Sequence, residues 1–199
     1  MDIKKFFYNI NRDVLKKILC KKITCKKTLR LIFKIVDSAD TISELGLPLG
    51  NTLSQICANI YLNEVDQFIK RKLGVKYFVR YMDDFVLVLP NKEICKCIFS
   101  TVKEFLKSVL HLELNIKKSK MFPISQGVNA VGFKIYATHR LLRNDSKKKI
   151  KRKIRAFPNL IVCGKILVSK AEQMLNSWLG HARHASSYNF IRSLLSIKL

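Results

Sequence analysis

Lys76-Tyr77-Phe78-Val79-Arg80-Tyr81-Met82-Asp83-Asp84-Phe85-Val86-Leu87-Val88-Leu89 is the stretch from which the fold can be read. Two apolar runs of β-forming residues flank a short tip, the pattern of an antiparallel hairpin. Asp83 and Asp84 fall at that tip, where adjacent carboxylates raise each other's pKa and are costly to hold together. A divalent cation removes the cost, and Mg²⁺ with carboxylate ligands is the usual partner in phosphoryl chemistry. Pleating sends the two side chains to opposite faces, so one is the main ligand and the other an outer or shared one. Taken alone, these residues also read as a solvated Asp-Asp turn.

The rest of the composition favours the first reading. With 199 residues the chain makes one large domain or two small ones, and its 48% hydrophobic content argues against disorder. Lys and Arg number 38 against 14 Asp and Glu, a net charge of +24. That excess points to a polyanion: nucleic acid first, an anionic membrane surface second. No run of about 18 apolar residues is present to span a bilayer. The opening Met1-Asp2-Ile3-Lys4-Lys5-Phe6-Phe7 lacks the apolar stretch of a signal peptide, so the expected location is cytoplasmic. Six cysteines without a paired CxxC pattern read as buried free thiols of a reducing compartment, with Cys57 on an apolar helix face. His181 and His184 have no Cys or Glu beside them and read as a surface or nucleic-acid-facing pair rather than a zinc site.

Along the chain, residues 1–7 read as the end of a strand. Asn11 with Asp13 starts a helix carrying Val14, Leu15, Ile18 and Leu19 on one face. A second helix over 27–36 holds apolar residues too densely for a one-sided stripe, which predicts that it is well buried. Residues 37–45 read as a polar loop. Gly46-Leu47-Pro48-Leu49-Gly50 turns the chain into a long helix from 52 to 72, the hairpin follows, and another helix covers 92–110. Residues 112–142 return to β-type sequence, with Val131-Gly132-Phe133-Lys134-Ile135-Tyr136 reading as one strand of a small hairpin. From Lys147 to Arg155 seven of nine residues are basic, with Ile150 and Ile154 at i, i+4. This predicts a helix with a narrow apolar seam whose Lys147, Lys148, Lys151, Arg152 and Arg155 meet backbone phosphates. Two further helices fill 168–196.

Three elements carry chemistry in this order: Asp2 at a strand end with Phe7 five residues on, Gly46-x-Pro48-x-Gly50-x-x-x-Ser54-Gln55 opening a long helix, and the Asp83-Asp84 tip. A carboxylate at a strand end beside a second pair on a hairpin can hold two metal ions about 3.5–4 Å apart, an arrangement that activates an attacking hydroxyl and neutralises a leaving pyrophosphate.

On these motifs the chain resembles the palm and thumb of reverse transcriptases. It is most similar to those of diversity-generating retroelements, near relatives of the group II intron and retron enzymes. Tyr81-Met82-Asp83-Asp84 matches the family's YxDD motif, Asp2 its first catalytic carboxylate, and Phe7 the aromatic gate beneath the incoming sugar. Lys118, within Leu114-Asn115-Ile116-Lys117-Lys118-Ser119, matches the lysine near the departing pyrophosphate. Gly132 lies in the counterpart of the primer grip, and Thr138–Arg143 and Trp178-Leu179-Gly180-His181 resemble thumb-side elements. Most of the family carries QGxxxSP where this chain has Leu49-Gly50-Asn51-Thr52-Leu53-Ser54-Gln55. An aliphatic residue for that Gln and a Gln for that Pro mark the retroelement subgroup, whose adenine-directed infidelity fits a side chain unable to hydrogen-bond.

The resemblance implies an α+β fold: a palm with an antiparallel sheet on helices over 1–143, then a basic helical thumb over 144–199. It implies RNA-directed DNA polymerisation with two Mg²⁺ ions (Mn²⁺ as substitute) on Asp2, Asp83 and Asp84. Ile3, Phe7, Leu49, Gly50 and Gln55 would face the dNTP, and Tyr81, Met82 and Gly132 the nucleic acid. The implied partners are an RNA template, a DNA or RNA primer, dNTPs, and a small basic accessory protein. The family's fingers precede its palm, and here Asp2 follows the initiator directly. The expectation is therefore a truncated or alternatively started enzyme that lacks fingers, with a separate fingers fragment as the alternative partner to the accessory protein. The competing expectation is a catalytically inactive or split palm-thumb fragment that binds RNA or DNA.

Overall fold

The computed structural model describes residues 1–38 and 44–195. They form an α+β chain of two compact units, Met1–Met121 and Phe122–Leu199. In the first, α1 (Phe6–Asn9), α2 (Arg12–Lys22), α3 (Lys26–Asp37) and α4 (Thr52–Gln67) precede the hairpin of β1 (Tyr77–Tyr81) and β2 (Asp84–Val88), and α5 (Lys92–Val109) follows. The second contains β3 (Val128–Ala130), β4 (Phe133–Ile135) and β5 (Arg140–Leu142), then α6 (Asn144–Val162), α7 (Val168–Ala182) and α8 (Tyr188–Leu195).

Local chemistry sets most boundaries. The side chains of Asn11, Asn51 and Asn91 accept hydrogen bonds from the backbone N–H groups of Val14, Leu53 and Ile94, capping α2, α4 and α5. The last turn of the long helix widens to a π-helix over Phe68–Lys72, where Phe68 stacks on Phe105 of α5 at 4.1 Å. Tyr61 is fully buried and donates its hydroxyl to the Leu110 carbonyl at 2.6 Å. Burial pushes its phenol up to about 12, so it stays a neutral donor at working pH.

The sheet of the first unit is wider than its hairpin. β1 pairs antiparallel with β2, from Tyr77 opposite Val88 to Tyr81 opposite Asp84. Met1-Asp2-Ile3 then adds to the free side of β2. Met1 and Phe85 exchange both backbone hydrogen bonds, and Asp2 bridges Asp84. On its far side the same segment meets residues 113–115, through Ile3 with Leu114 and the Asn115 N–H on the Asp2 carbonyl. Lys5 takes a left-handed conformation (φ 46°) and turns the chain into α1. The side of the sheet toward the core presents Ile3, Phe85 and Leu114 to Leu62, Val65, Leu106 and Leu110.

Several expectations change. Helix α3 is amphipathic: Val36 is buried and Leu29, Ile32 and Phe33 pack on the core, while Leu31 stays exposed. Among the described residues the helix packs on the core through one face, and a dense apolar run does not bury the rest. Val131 and Gly132 form the turn between β3 and β4 instead of belonging to a strand. Residues 112–127 pair through Leu114 and then form a 3₁₀ turn at Ile124–Gln126. Of the six cysteines only Cys57 is buried; Cys20, Cys25, Cys97 and Cys163 are exposed. Part of the expected polar loop, residues 39–43, lies outside the described residues. The compact units divide after Met121, and in the second unit Phe133 of β4 and Leu142 of β5 share a core with Ala182 of α7.

Candidate active site

Strand pairing brings the acidic residues to one end of the first unit's sheet. Asp2 is 9% exposed, its backbone pinned by Asn115 and by donation of its N–H to Ser119 Oγ at 3.2 Å. Its Oδ1 lies 3.7 Å from the Lys118 ammonium, while Oδ2 is buried with no hydrogen-bond partner. Asp83 is half-buried in the hairpin turn and Asp84 is exposed at the start of β2. Burial pushes the Asp83 carboxyl above its ordinary range, and the charges of Asp2 and Asp84 push it further; Lys118 opposes them. Of Lys117, Lys118 and Lys120, it is therefore Lys118 whose ammonium meets the carboxylates.

These groups suit a hard cation. An orphaned carboxylate oxygen, a carboxyl whose charged form is disfavoured, and an all-oxygen donor set describe a site that Mg²⁺ relieves. Among the described residues no three His, Cys, Asp or Glu side chains form a ready-made cage. The carboxylates repel one another, and two cations offset part of that charge: the Lys118 ammonium, on a side chain 69% exposed, pairs with Asp2, and the Met1 ammonium is attracted to Asp84 and Asp2.

The hairpin tip has a brace that the sequence motifs do not name. Arg80 forms a two-pronged ion pair with Asp66 of α4 at 2.8 and 2.6 Å. The same guanidinium donates to Asn59 Oδ1 at 2.9 Å and to the Met82 carbonyl at 3.0 Å. Met82 sits at φ 53°, a conformation that non-glycine residues seldom hold without support. Arg80 thus ties the left-handed turn to the helix behind it. Asn59 and Asp66, seven residues apart, share one face of α4, the one signal that could have revealed the brace.

The nucleotide-side candidates divide. Phe7 is partly buried against the core, edge-on to Phe6, and its carbonyl accepts from the Leu47 N–H at 3.0 Å. Gly46 at φ +87° fits closely there, since a Cβ would come within 3.3 Å of the Tyr8 carbonyl oxygen. Leu49 is 62% exposed, so it does not pack beneath the turn, and Gly50 and Gln55 are open to solvent. Ile3 needs correcting as a nucleotide-facing side chain: it is 2% exposed and belongs to the core. The strand alternation that exposes one end of Asp2 directs Ile3 the other way.

In the second unit, α6 sorts its cations into rows. Lys147 and Lys151 lie over the Phe190 ring at 5.5 and 5.4 Å, so they take part in packing α8. Lys148 and Arg152 line a shallow solvent-facing concavity, and Arg155 is exposed. Gly132 lies in the β3–β4 turn of this unit. Tyr81 is 64% exposed, in line with exposed Tyr77 and Val79 on the outer face of β1.

A sheet whose one end carries Asp2 beside a YMDD turn defines a class of polymerase, and the comparisons agree. The family model described as reverse transcriptase (RNA-dependent DNA polymerase) matches residues 1–135. The chain belongs to the reverse transcriptase family. It is 24% identical to the putative COX1/OXI3 intron 2 protein of Saccharomyces cerevisiae, over 69% of this chain and 23% of that one. The retron Ec73 reverse transcriptase of Escherichia coli is 26% identical, with 76% and 49% covered. The group II intron-encoded protein LtrA of Lactococcus lactis subsp. cremoris is 25% identical, with 81% and 38% covered. The chain thus spans about a quarter to a half of the length of these relatives. Among the described residues no helix is long and apolar enough to cross a membrane.

Proposed function

We propose that this chain carries the polymerising centre of an RNA-directed DNA polymerase from a diversity-generating retroelement. The primer 3′-hydroxyl attacks the α-phosphate of a dNTP on an RNA template, and pyrophosphate leaves. The observation that carries this reading is the pairing of Asp2 beside Asp84, with the Lys118 ammonium 3.7 Å from Asp2. Asp2, Asp83 and Asp84 would hold two Mg²⁺ ions, or Mn²⁺, which when bound acidify the hydroxyl and neutralise phosphate charge. Lys118, exposed and on a flexible stem, leaves Asp2 to meet the departing pyrophosphate. Phe7 supports the sugar from a braced position. Leu49 meets the nascent base pair with an apolar surface and supplies no hydrogen bond to test its geometry, which supports the subgroup assignment. Lys148, Arg152 and Arg155 track the duplex backbone by charge. A structured template RNA and a small basic accessory protein complete the assembly.

The cationic face of α6, which would hold a polyanion whether or not the acidic site is active, favours a second reading, a palm-thumb fragment that binds RNA or DNA without catalysis. Mg²⁺-dependent primer extension on an RNA template, run beside Asp83→Ala, separates the two. Extension that disappears in the variant supports the polymerase. No extension, with salt-sensitive duplex binding equal in both proteins, supports the fragment. Leu49→Gln tests the subgroup: adenine misincorporation falls if Leu49 relaxes the geometric check, and an unchanged rate rejects that role.

A further inference from the structure

The second unit contains a cleft of about 390 Å³ that the polymerase reading does not use. Ile150, Trp178 and His181 form its apolar and aromatic walls, and Arg143, Lys149 and Lys153 supply cations. The only carboxylate in its lining, Asp145, is 3.4 Å from Arg143, so two ammonium groups remain uncompensated there. Lys149 and Lys153 form a helical row distinct from Lys147 and Lys151, which cover Phe190.

Both aromatic walls are fixed. Trp178 Nε1 donates to Ser146 Oγ at 3.2 Å, and its ring meets Phe190 edge-on at 6.1 Å. The His181 ring stacks on Phe133 at 4.4 Å and lies against Gly132, where a Cβ would come within 3.2 Å of the ring. Gly132 at φ +84° therefore serves two ends, the turn and the close seat of His181. Walls held in place before a ligand arrives reduce the ordering cost of binding.

The volume is that of a small-molecule site. Flat rigid rings suit a nucleobase, and a guanidinium fork with two ammonium groups suits a phosphate. An acidic peptide would satisfy the charge and leave the rings without a partner. We propose that this cleft accepts one unpaired nucleotide of a bound strand, its base against Trp178 and His181 and its phosphate at Arg143, Lys149 and Lys153. The proposal rests on the reading of this chain as a nucleic-acid-binding protein, and it adds a contact that depends on strand structure to backbone tracking that does not.

Trp178 is the only tryptophan, so fluorescence excited at the red edge of indole absorption, where the six tyrosines are silent, reports this cleft alone. The 199-residue chain is titrated with three RNA hairpins: one with a single bulged nucleotide, one with an abasic bulge, and one fully paired. Anisotropy of labelled RNA follows overall binding. The bulged hairpin is expected to quench Trp178 and to bind about tenfold tighter than the abasic one. His181→Ala, which removes one aromatic wall, should remove both differences, while Lys149→Gln with Lys153→Gln, both exposed, should weaken the bulged and the abasic hairpin alike, since both keep the phosphate, with far-UV circular dichroism unchanged in each variant. Equal affinity and equal fluorescence for all three hairpins overturns the cleft and leaves nucleic-acid binding standing. No anisotropy change with any hairpin overturns both readings. Quenching by adenosine monophosphate with none by the bulged hairpin overturns the assignment to a strand. Equal quenching by an oligoglutamate peptide overturns base recognition.

Discussion

The acidic end of the first unit and the basic helix of the second face opposite electrostatic problems. Asp2 and Asp84 are 82 residues apart in sequence and meet only because Met1-Asp2-Ile3 pairs with β2. Their mutual repulsion is tolerated because backbone hydrogen bonds hold Asp2 beside β2, the Arg80 brace fixes the turn, and the Lys118 and Met1 ammonium groups offset part of the charge. The cations of α6 are neighbours in sequence, and the helix spreads them around its circumference. Long side chains in water hold like charges apart at little cost, so no comparable framework is needed. A carboxylate site thus depends on tertiary structure, whereas a cationic face follows from local composition.

That difference sets the size of each expected effect. Asp83→Ala should lower Mg²⁺-dependent extension by at least about 10²–10³-fold, the range seen when one preorganised electrostatic group is removed. Salt-sensitive duplex binding should stay within a factor of two, roughly, because the surface proposed to carry it is α6 and not the acidic turn. Loss of binding along with extension would break the separation between the two regions.

Arg80→Ala should destabilise the first unit by about 2–3 kcal/mol, because it leaves Asp66 largely buried without its partner and the Met82 carbonyl without a donor. Chemical denaturation read by circular dichroism checks this, and an unchanged midpoint would show that the turn holds itself. Neutralising Lys148 and Arg152 together should lower the slope of log affinity against log salt by about two, one for each phosphate that no longer meets a cation. Titrations at several ionic strengths measure it. Lys147→Ala and Lys151→Ala should barely change that slope and instead cost about 0.5–1 kcal/mol each in stability, by removing the ammonium from above the Phe190 ring. A full slope change from these two would mean that α6 acts as an undivided charge run.

Much of the fold was legible because its signals are local. Asn11 with Asp13 announced α2, alternating apolar residues announced the hairpin, and the long helix after Gly50 began where the turn chemistry placed it. Val131-Gly132 was misread because alternation continues across a two-residue turn as smoothly as along a strand. The density of apolar residues in α3 predicted burial on all sides, yet how much of a helix is covered depends on how many elements surround it. The exposed cysteines show the same limit, since residue type sets a preference for the interior and packing decides who occupies it.

At the candidate site, the YMDD turn, Asp2 and Lys118 could be named from motif order, and the charge of α6 from composition. The sequence by itself determined the chemical inventory: carboxylates at strand ends, an excess of cations, an aliphatic residue at position 49, a single tryptophan. Tertiary structure alone decided which of these meet. It left Asp2 Oδ2 buried and unpartnered, chose Lys118 from three lysines, put Arg80 behind Met82 and divided one basic run into rows with different neighbours. The physical reason is that ionic and hydrogen-bonding energies change steeply over a few ångströms, and those distances are set by pairing between segments remote in sequence.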